Sequence, residues 1–433
     1  MRAEILERAK QAALATGRAV YLDGIPNAGN RELKVLTARG LAFMGRRRWE
    51  RAISRFYEAH EQAEGPEQSA AVLGLIGSCH FAQYRWERAL DCFGQAVRLA
   101  DQAGDKPGMA HALNYVGSVH GNKGELDQAL KYYKEALAVA SRTGDRDCVG
   151  RILSSIGFAF RARGQLVKAL DHMHNAIAIA RQVENPLVEA NNLVGIGLLF
   201  KTKGATDKAV EYLKRALKMY RRIGYAPGMA SVLSSIGSVC DEQGDRLAAI
   251  GFHKHALAQY RKSRDRRGEA RAFNNIGVLY ASTGRLANAL IYYRRALAIA
   301  RETGDPVAQA NNLNNVALVH RTRGQPQKAR QSHEKALAIA RRNGHKHGEA
   351  SALNNIGELH AVEGNPDKAI RFIVQARMIF SNIGATDGVQ RTTVSLGQLL
   401  WETGRARLVA GCVKAGMTGE DAEKLARSLA KAK

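Results

Sequence analysis

Aromatic residues and prolines are scarce in this chain of 433 residues: aromatics make up 6% of it, and there are only 8 prolines. So few aromatics suit helices that pack through alanine better than they suit a large globular core. No apolar run approaches the ~20 residues that a membrane-spanning helix needs. The first twenty residues mix charges with alanines and lack the apolar centre of a signal peptide. The sequence therefore predicts a soluble, cytoplasmic protein.

Cysteine is also rare, and its five occurrences are dispersed without a CxxC pair. An odd, scattered set indicates reduced thiols and argues against a disulfide framework or a zinc site. The chain also lacks a P-loop, a nucleophile elbow and paired carboxylates in a recognisable setting. We therefore predict that the protein is not an enzyme and that it holds no cofactor and no metal. The cysteines are Cys79, Cys92, Cys148, Cys240 and Cys412.

Acidic residues are outnumbered by basic ones, 40 against 65, so the formal net charge is +25. A positive field of this size favours acidic partners and accelerates their association. The excess is concentrated, since residues 261–345 contain 17 Lys and Arg against 5 Asp and Glu. Charge alone leaves contact with nucleic acid or with an anionic membrane surface open.

What the chain has in abundance is repetition. Residues 270–342 are one unit written nearly twice, with a constant spacing of about 40 residues between matching positions. A fixed period of this size is the signature of a solenoid, in which each repeat packs only on its neighbours. The matching pairs are Ala270 and Ala310, Asn274 and Asn314, Asn275 and Asn315, Ile276 and Val316, Gly284 and Gly324, Ala289 and Ala329, Ala296 and Ala336, and Leu297 and Leu337.

The other copies of this unit divide the chain into five segments. Thr418, followed three residues later by Asp421, indicates a capping box that opens a final helix. Whether that helix caps its own array or docks on a second subunit stays open, as does the oligomeric state. We predict an N-terminal helix and loop in residues 1–29, a divergent first repeat in 30–66, eight regular repeats in 67–389, a degenerate last repeat in 390–416 and a C-terminal capping helix in 417–433.

Each unit is predicted to be two helices, A and B, joined by a turn. Apolar and small residues recur at helical spacing on both segments, and Gly324 marks the turn between them. Helix B ends in basic residues and a glycine, which suit the negative end of the helix dipole and a left-handed C-cap. Asp305 followed by Pro306 then opens the next helix A, as an N-cap residue and the proline favoured at the first helical position.

A column of glycines lies on helix A, where each glycine costs roughly 0.8–1 kcal/mol relative to alanine. A glycine that recurs at this position despite its cost indicates that helix B approaches helix A closely there. We predict that the glycines contact a column of alanines on helix B. Ala317 interrupts the glycine run. The glycines are Gly77, Gly117, Gly157, Gly197, Gly237, Gly277, Gly357 and Gly397, and the alanines are Ala89, Ala129, Ala169, Ala209, Ala249, Ala289, Ala329 and Ala369.

This pattern of small residues resembles the tetratricopeptide repeat, as Gly277, Gly284, Ala289, Tyr293 and Ala296 show in one unit. The unit of about 40 residues, longer than the usual ~34, resembles a long-repeat subgroup that includes spindle-orientation adaptors of the G-protein-modulator type, kinesin light chains and bacterial repeat proteins. HEAT and armadillo arrays have a compatible period but lack this glycine and alanine pattern. The resemblance implies an all-α, right-handed superhelical solenoid of stacked antiparallel helix pairs.

The resemblance also implies a concave wall made by the A helices, along which a peptide binds. Carried onto this chain, it assigns asparagines that would hold a peptide backbone through their amides and arginines and lysines that would select acidic side chains. No lysine stands where the family's chaperone-tail clamp needs one. The candidate groove residues are Asn114, Arg151, Arg161, Asn191, Lys201, Arg271, Asn274, Asn311, Asn314, Arg321, Asn354 and Arg391.

These residues have alternative interpretations. The outer asparagines Asn275, Asn315 and Asn355 could tie neighbouring A helices together, and the cationic residues could be solvated walls. Our first hypothesis is a non-enzymatic adaptor that binds an extended or helical, partly acidic segment of a protein partner. The alternatives are a basic scaffold that binds nucleic acid through its outer surface and a peptide-sensing regulator.

Overall fold

The computed structural model describes residues 30–431, and in that range the chain is helical without a strand. No helix among these residues is long and apolar enough to cross a membrane. The predicted N-terminal helix and loop lie outside the described residues. The helices are α1 (Arg31–Gly45), α2 (Trp49–Glu61), α3 (Pro66–Ala82), α4 (Trp86–Gln102), α5 (Lys106–Lys123), α6 (Leu126–Thr143), α7 (Arg146–Ala162), α8 (Leu166–Gln182), α9 (Pro186–Thr202), α10 (Thr206–Arg222), α11 (Ala226–Glu242), α12 (Arg246–Lys262), α13 (Arg266–Ser282), α14 (Leu286–Glu302), α15 (Pro306–Thr322), α16 (Pro326–Arg342), α17 (Lys346–Val362), α18 (Pro366–Asn382), α19 (Thr386–Thr403), α20 (Arg405–Lys414) and α21 (Gly419–Lys431).

The helices pack as consecutive antiparallel pairs, so α1–α2 form repeat 1, α3–α4 form repeat 2, and so on to α19–α20, which form repeat 10. Odd-numbered helices are the A helices of these repeats. This arrangement confirms the predicted all-α solenoid of stacked helix pairs. The chain divides into two compact units, unit 1 (Met1–Asp265) and unit 2 (Arg266–Lys433).

The helix ends follow the predicted signals. Gly324 has a φ of +67°, which favours glycine. The next backbone amide, that of Gln325, donates a hydrogen bond of 2.9 Å to the carbonyl of His320 and closes helix α15. The carboxylate of Asp305 accepts a hydrogen bond of 3.0 Å from the backbone amide of Ala308 and so caps the start of α15. These contacts confirm both the turn and the N-cap.

The helix-A glycines make room for a large side chain of helix B. A Cβ placed on Gly277 would lie 2.7 Å from Cε1 of Tyr293, and one on Gly117 would lie 2.6 Å from Cε1 of Tyr133. The helix-B alanines contribute less, since the carbonyl oxygen of Ala129 would lie 3.1 Å from the Cβ on Gly117. The glycines therefore contact mainly a large side chain of helix B, and the predicted contact with the alanines is the more distant one. The large residues are Phe93, Tyr133, Met173, Leu213, His253, Tyr293 and Ile373.

The glycine column predicts opposite outcomes for one substitution at two places. Gly277→Ala should lower the stability of repeat 7, because overpacking against the buried Tyr293 costs about 1–3 kcal/mol and exceeds the gain of about 1 kcal/mol in helix propensity. Gly397→Ala should be neutral or stabilising, because the nearest atom to its Cβ is Cδ2 of Leu429 at 3.9 Å. Urea-unfolding midpoints measure both variants, and a shift of both in the same direction would contradict this account.

The C-terminal helix packs on its own chain. Leu425, Ala426 and Leu429 of α21 are buried in one apolar cluster with Leu396 of α19 and Leu408 of α20. Half of the capping box predicted at its start is present: the backbone amide of Asp421 donates 3.1 Å to the hydroxyl of Thr418, which itself donates 2.7 Å to the carboxylate of Asp421. This packing is what a helix that caps its own array would show, and the capping role stays a prediction.

Two predicted segment boundaries fall inside helices. Helix α19 begins at Thr386, four residues before the predicted start of the last repeat at 390, because it follows directly on the left-handed Gly384 that ends the preceding helix. Helix α3 begins at Pro66, the last residue assigned to repeat 1, since proline is favoured in the first turn of a helix. The regular repeats thus begin at position 66 and the last one at 386.

Candidate peptide-binding groove

The A helices line the inner side of the stack in each unit. Within unit 1, α3, α5, α7, α9 and α11 contact one another in sequence, and within unit 2 so do α13, α15, α17 and α19. Neighbouring B helices stay farther apart, except α18 and α20 at the C-terminal end. In a curved stack the elements that lie closest together are on the inside of the curve. A partner segment that runs along the A helices would therefore meet a concave wall.

Three asparagines of the predicted backbone-holding column in unit 2 already have partners within the chain. Asn314 is buried, and its Oδ1 lies 2.8 Å from Nδ1 of His333 on helix B of the same repeat. Asn354 is also buried, and its amide donates 2.9 Å to Oε1 of Glu358. Oδ1 of Asn274 accepts a hydrogen bond of 2.8 Å from the amide of Asn315 in the next repeat. The alternative interpretation, that the outer asparagine ties neighbouring A helices together, describes this last contact.

The other three asparagines differ among themselves. Oδ1 of Asn191 accepts a hydrogen bond of 2.5 Å from the hydroxyl of Tyr220. Asn114 is half-buried, and its Oδ1 has no hydrogen-bond partner among the described residues. Asn311 is exposed on α15. Asn311 is thus the exposed one of these three, whereas Oδ1 of Asn114 is buried and, like Oδ1 of Asn354, has no hydrogen-bond partner in the described part of the chain.

Half of the six predicted cationic groove residues pair with carboxylates. Arg151 donates to Asp147 at 2.7 Å on the same helix. Lys201 lies 3.1 Å from Glu242 in the following repeat, and Arg321 lies 2.6 Å from Glu358, also in the following repeat. In each pair the acid neutralises the charge that was predicted to select an acidic partner.

Arg161 and Arg391 lie against aromatic rings and have no carboxylate within salt-bridge distance among residues 30–431. The guanidinium of Arg161 lies 5.8 Å from the centre of the Phe158 ring, and burial lowers the pKa of this arginine. The guanidinium of Arg391 lies 5.7 Å from the ring centre of Phe380. Arg271 is exposed on α13. Arg161 in unit 1 and Arg391 in unit 2 therefore keep a positive charge that no carboxylate among the described residues neutralises.

A cleft of about 850 Å³ opens between α17 and α19 in unit 2. It brings together two predicted groove residues, Arg321 and Arg391. Its apolar part includes Val362 and Val394, which are 82% and 59% exposed. Its polar lining is Glu358, Asp387, Gln390, Ser395, Gln398 and Glu402. The cleft therefore combines exposed aliphatic surface, amides and charges of both signs.

The sequence analysis missed the two valines. Val394 stands three residues before Gly397, as Asn354 stands three residues before Gly357, so it occupies the same column in the last repeat. Extending the column by one degenerate repeat would have identified it. Val362 is the last residue of α17 and follows the repeat pattern only loosely, so its exposure depends on the fold.

The chain matches two family profiles. The profile described as tetratricopeptide repeat matches residues 228–302 and 307–381. The profile described as MalT-like TPR region matches residues 35–229. Together they cover about four-fifths of the chain. No curated protein sequence matches it.

Several solved structures resemble this chain at low sequence identity. A signal transduction ATPase with numerous domains and a tetratricopeptide repeat sensor, from Pyrococcus horikoshii, is 13% identical with a TM-score of 0.53; the match covers 80% of this chain and 52% of that one, so this chain spans about half of its length. BtubC from P. vanneervenii is 23% identical over 51% of this chain and 92% of that one, with a TM-score of 0.45. A Rap protein complexed with Competence and Sporulation Factor is 14% identical, and the match covers 76% of this chain and 98% of that one, with a TM-score of 0.49.

The two profiles agree with the periodic glycines, with the stacked helix pairs and with the likeness to the Pyrococcus sensor repeats. The fold suggests protein or peptide partners and is typically non-catalytic. This chain belongs to the tetratricopeptide repeat family.

Proposed function

We propose that the chain is a non-enzymatic scaffold that captures an extended or helical segment of a partner protein along its A helices, with the cleft between α17 and α19 as the main site in unit 2. The observation that carries this proposal is the pair of exposed valines, Val362 and Val394, in one cleft with Arg391. Exposed aliphatic surface in a concave site marks a place where a partner binds. We further propose a cytoplasmic location, since free cysteines are typical of a reducing compartment.

The lining of the cleft suggests what the segment looks like. Aliphatic side chains of a partner would cover Val362 and Val394 and remove them from water, which favours binding by roughly 25 cal/mol per Å² of apolar surface. The amides of Gln390 and Gln398 offer donors and acceptors to a peptide backbone. This is the role that the sequence suggested for the buried asparagine column.

The charge of the cleft favours a segment that is only partly acidic. Arg391 can pair bidentately with one carboxylate of the partner, whereas Glu358 occupies Arg321. Asp387 and Glu402 add negative charge to the same lining, and like charges across an interface repel. We therefore expect aliphatic residues flanked by one acidic residue, and we do not expect a run of acids.

The test is a peptide selection on the full chain, repeated on cleft variants. The double variant Val362→Asp/Val394→Asp and the single variant Arg391→Glu should each lower the affinity for the selected peptides at least tenfold, as measured by fluorescence anisotropy. The double variant would bury charged groups on binding, and Arg391→Glu reverses the charge that pairs with the partner. Val167→Asp, at a valine 69% exposed on α8, and Arg301→Glu, at an exposed arginine at the end of α14, are the matched controls. Equal affinity for all four variants and the parent would refute the cleft as the site.

A salt titration separates this proposal from the nucleic-acid alternative suggested by the charge of +25. Nucleic-acid affinity falls linearly with salt on a log–log plot, with a slope set by the number of phosphates neutralised. A complex dominated by aliphatic contacts and one ion pair should change little between low and moderate salt. A steep slope for an oligonucleotide, together with no peptide selected on the parent chain, would favour the alternative.

A further inference from the structure

Three side chains with metal-binding chemistry converge where repeat 3 meets repeat 4 in unit 1. His111 comes from α5, while Asp145 and Cys148 come from the start of α7. One ligand atom from each, an imidazole nitrogen, a carboxylate oxygen and the thiol sulfur, lie within 4.8 Å of one another. No sequence motif marks this set, because the histidine stands 37 residues before the cysteine.

The sulfur and the carboxylate approach different nitrogens of the imidazole, so an ion shared by all three groups would bind one of these nitrogens, and the ring would turn it towards the other two ligands. Sγ of Cys148 lies 3.5 Å from Nδ1 of His111, and Oδ2 of Asp145 lies 3.7 Å from Nε2 of the same ring. The sulfur distance is that of a hydrogen bond to sulfur, whereas the carboxylate distance exceeds the ~3.2 Å that hydrogen bonds between nitrogen and oxygen rarely pass. Tetrahedral zinc with its usual bond lengths of about 2.0–2.3 Å places its ligand atoms about 3.3–3.7 Å apart.

Hydrogen bonds and ion pairs around the cluster leave one carboxylate oxygen of Asp145 available to an ion. Oδ1 of Asp145 caps α7 by accepting a hydrogen bond of 2.9 Å from the backbone amide of Cys148, which leaves Oδ2 to face His111. The nearby Arg151 does not neutralise Asp145, since its Nε donates to Asp147 at 2.7 Å. The amide of Asn185 occupies the other oxygen of Asp147 at 2.6 Å.

We propose that His111, Asp145 and Cys148 bind one divalent transition-metal ion of the zinc type. Imidazole, carboxylate and thiolate form a ligand set that suits this class of ion. A thiolate and a carboxylate together neutralise the two positive charges, which favours the ion in a site that is only partly open to water. A fourth position is left to solvent. The bound ion links α5 to α7 and so ties repeat 3 to repeat 4.

Binding changes the protonation of the cysteine. Burial raises the pKa of the Cys148 thiol to about 12, so without an ion the group stays protonated. A metal binds the thiolate, and the proton leaves to solvent as the sulfur–metal bond forms. Desolvation by burial also lowers the pKa of His111, which keeps its imidazole neutral and able to bind an ion.

The test is a Co²⁺ titration of the full chain, because cobalt replaces zinc in such sites and absorbs light. We expect a thiolate-to-cobalt charge-transfer band that saturates at one equivalent and is abolished by added Zn²⁺. Cys148→Ser should remove the band, whereas Cys240→Ser should keep it, because Cys240 is the one half-exposed cysteine and belongs to no such cluster among the described residues. No band in the parent chain, or a band that survives Cys148→Ser, would overturn the proposal.

A second variant keeps the test decisive if Cys148→Ser fails to fold. Asp145→Asn retains an oxygen for the N-cap, since asparagine caps helices as well as aspartate does, but it loses the anionic ligand. We expect cobalt affinity at least tenfold lower with the helical circular dichroism unchanged. At a fixed concentration, Zn²⁺ should also raise the melting temperature of the parent chain by more than that of this variant, because an ion that binds only the folded state stabilises it in proportion to its affinity. Unchanged affinity in the variant would reject the site.

Discussion

Acidification from pH 6.5 to 4 should destabilise the protein by about 3 kcal/mol for each of two buried histidines, His253 and His333. Burial lowers the pKa of each to about 4, whereas an unfolded histidine titrates near 6.5. Protonation therefore favours the unfolded chain. The stability that the neutral rings contribute is complete above pH 6.5 and is lost as the pH falls towards 4.

The surroundings of the two rings explain why proton binding is disfavoured. Around His253, burial lowers the pKa most; the carboxylate of Asp241 opposes this effect and the ammonium of Lys201 adds to it. Around His333, burial comes first and the charge of Arg321 adds to it. Each ring also has one buried nitrogen without a hydrogen-bond partner in the described structure, Nδ1 of His253 and Nε2 of His333. A proton there would be a buried charge without compensation.

The measurement is amide hydrogen exchange in repeats 6 and 8 at pH 7 and pH 4.5, corrected for intrinsic exchange. His253→Leu/His333→Gln should flatten the pH dependence, since Leu213 shows that leucine fits this position in another repeat and glutamine can still donate to Asn314. His255→Gln, at an exposed histidine on the same helix as His253, is the control. A double variant as acid-sensitive as the parent would contradict the assignment.

Truncation of two leucines in the C-terminal helix should release the last repeat. Leu425 and Leu429 are buried in the cluster that α21 shares with α18, α19 and α20. Replacing a buried leucine by alanine costs about 2–5 kcal/mol, so Leu425→Ala/Leu429→Ala should cost about 4 kcal/mol or more in that region. Because a solenoid is stabilised by contacts between neighbours, the loss should stay in the C-terminal repeats.

Hydrogen exchange separates this local loss from a global one. Protection should fall in α19, α20 and α21 and remain unchanged in α15 and α16. Lys424→Ala/Arg427→Ala, which truncates two exposed side chains on the other face of the same helix, is the matched control and should leave protection unchanged. If α19 and α20 keep their protection in the leucine variant, α21 does not act as the cap of this array.

The sequence was a reliable guide wherever one repeat could be compared with the next. The turn at Gly324, the cap at Asp305 and the N-cap at Thr418 are all present as predicted. These signals are local, since a few residues decide whether a helix begins or ends. Repetition at a fixed period reinforced each of them.

The candidate groove shows the limit of that reasoning. Asn274, Asn314 and Asn354 occupy one repeat position, yet each has a different partner, respectively an amide of the next repeat, a histidine of helix B and a glutamate one turn later. Identical periodic positions therefore do not present identical groups to solvent. Whether the asparagine column takes part in peptide binding stays a prediction.

The amino-acid sequence by itself determined the helices, their ends and the stacking of pairs. These features depend on backbone geometry and on the spacing of small residues, and both are set within one repeat of about 40 residues. Only the tertiary structure decided which polar groups remain free. The partners of Arg321 and of Cys148 stand 37 residues away on neighbouring repeats. Such pairings depend on how one repeat is rotated against the next. That rotation follows from the packing of all the helix pairs together, so the sequence of a single repeat does not determine it.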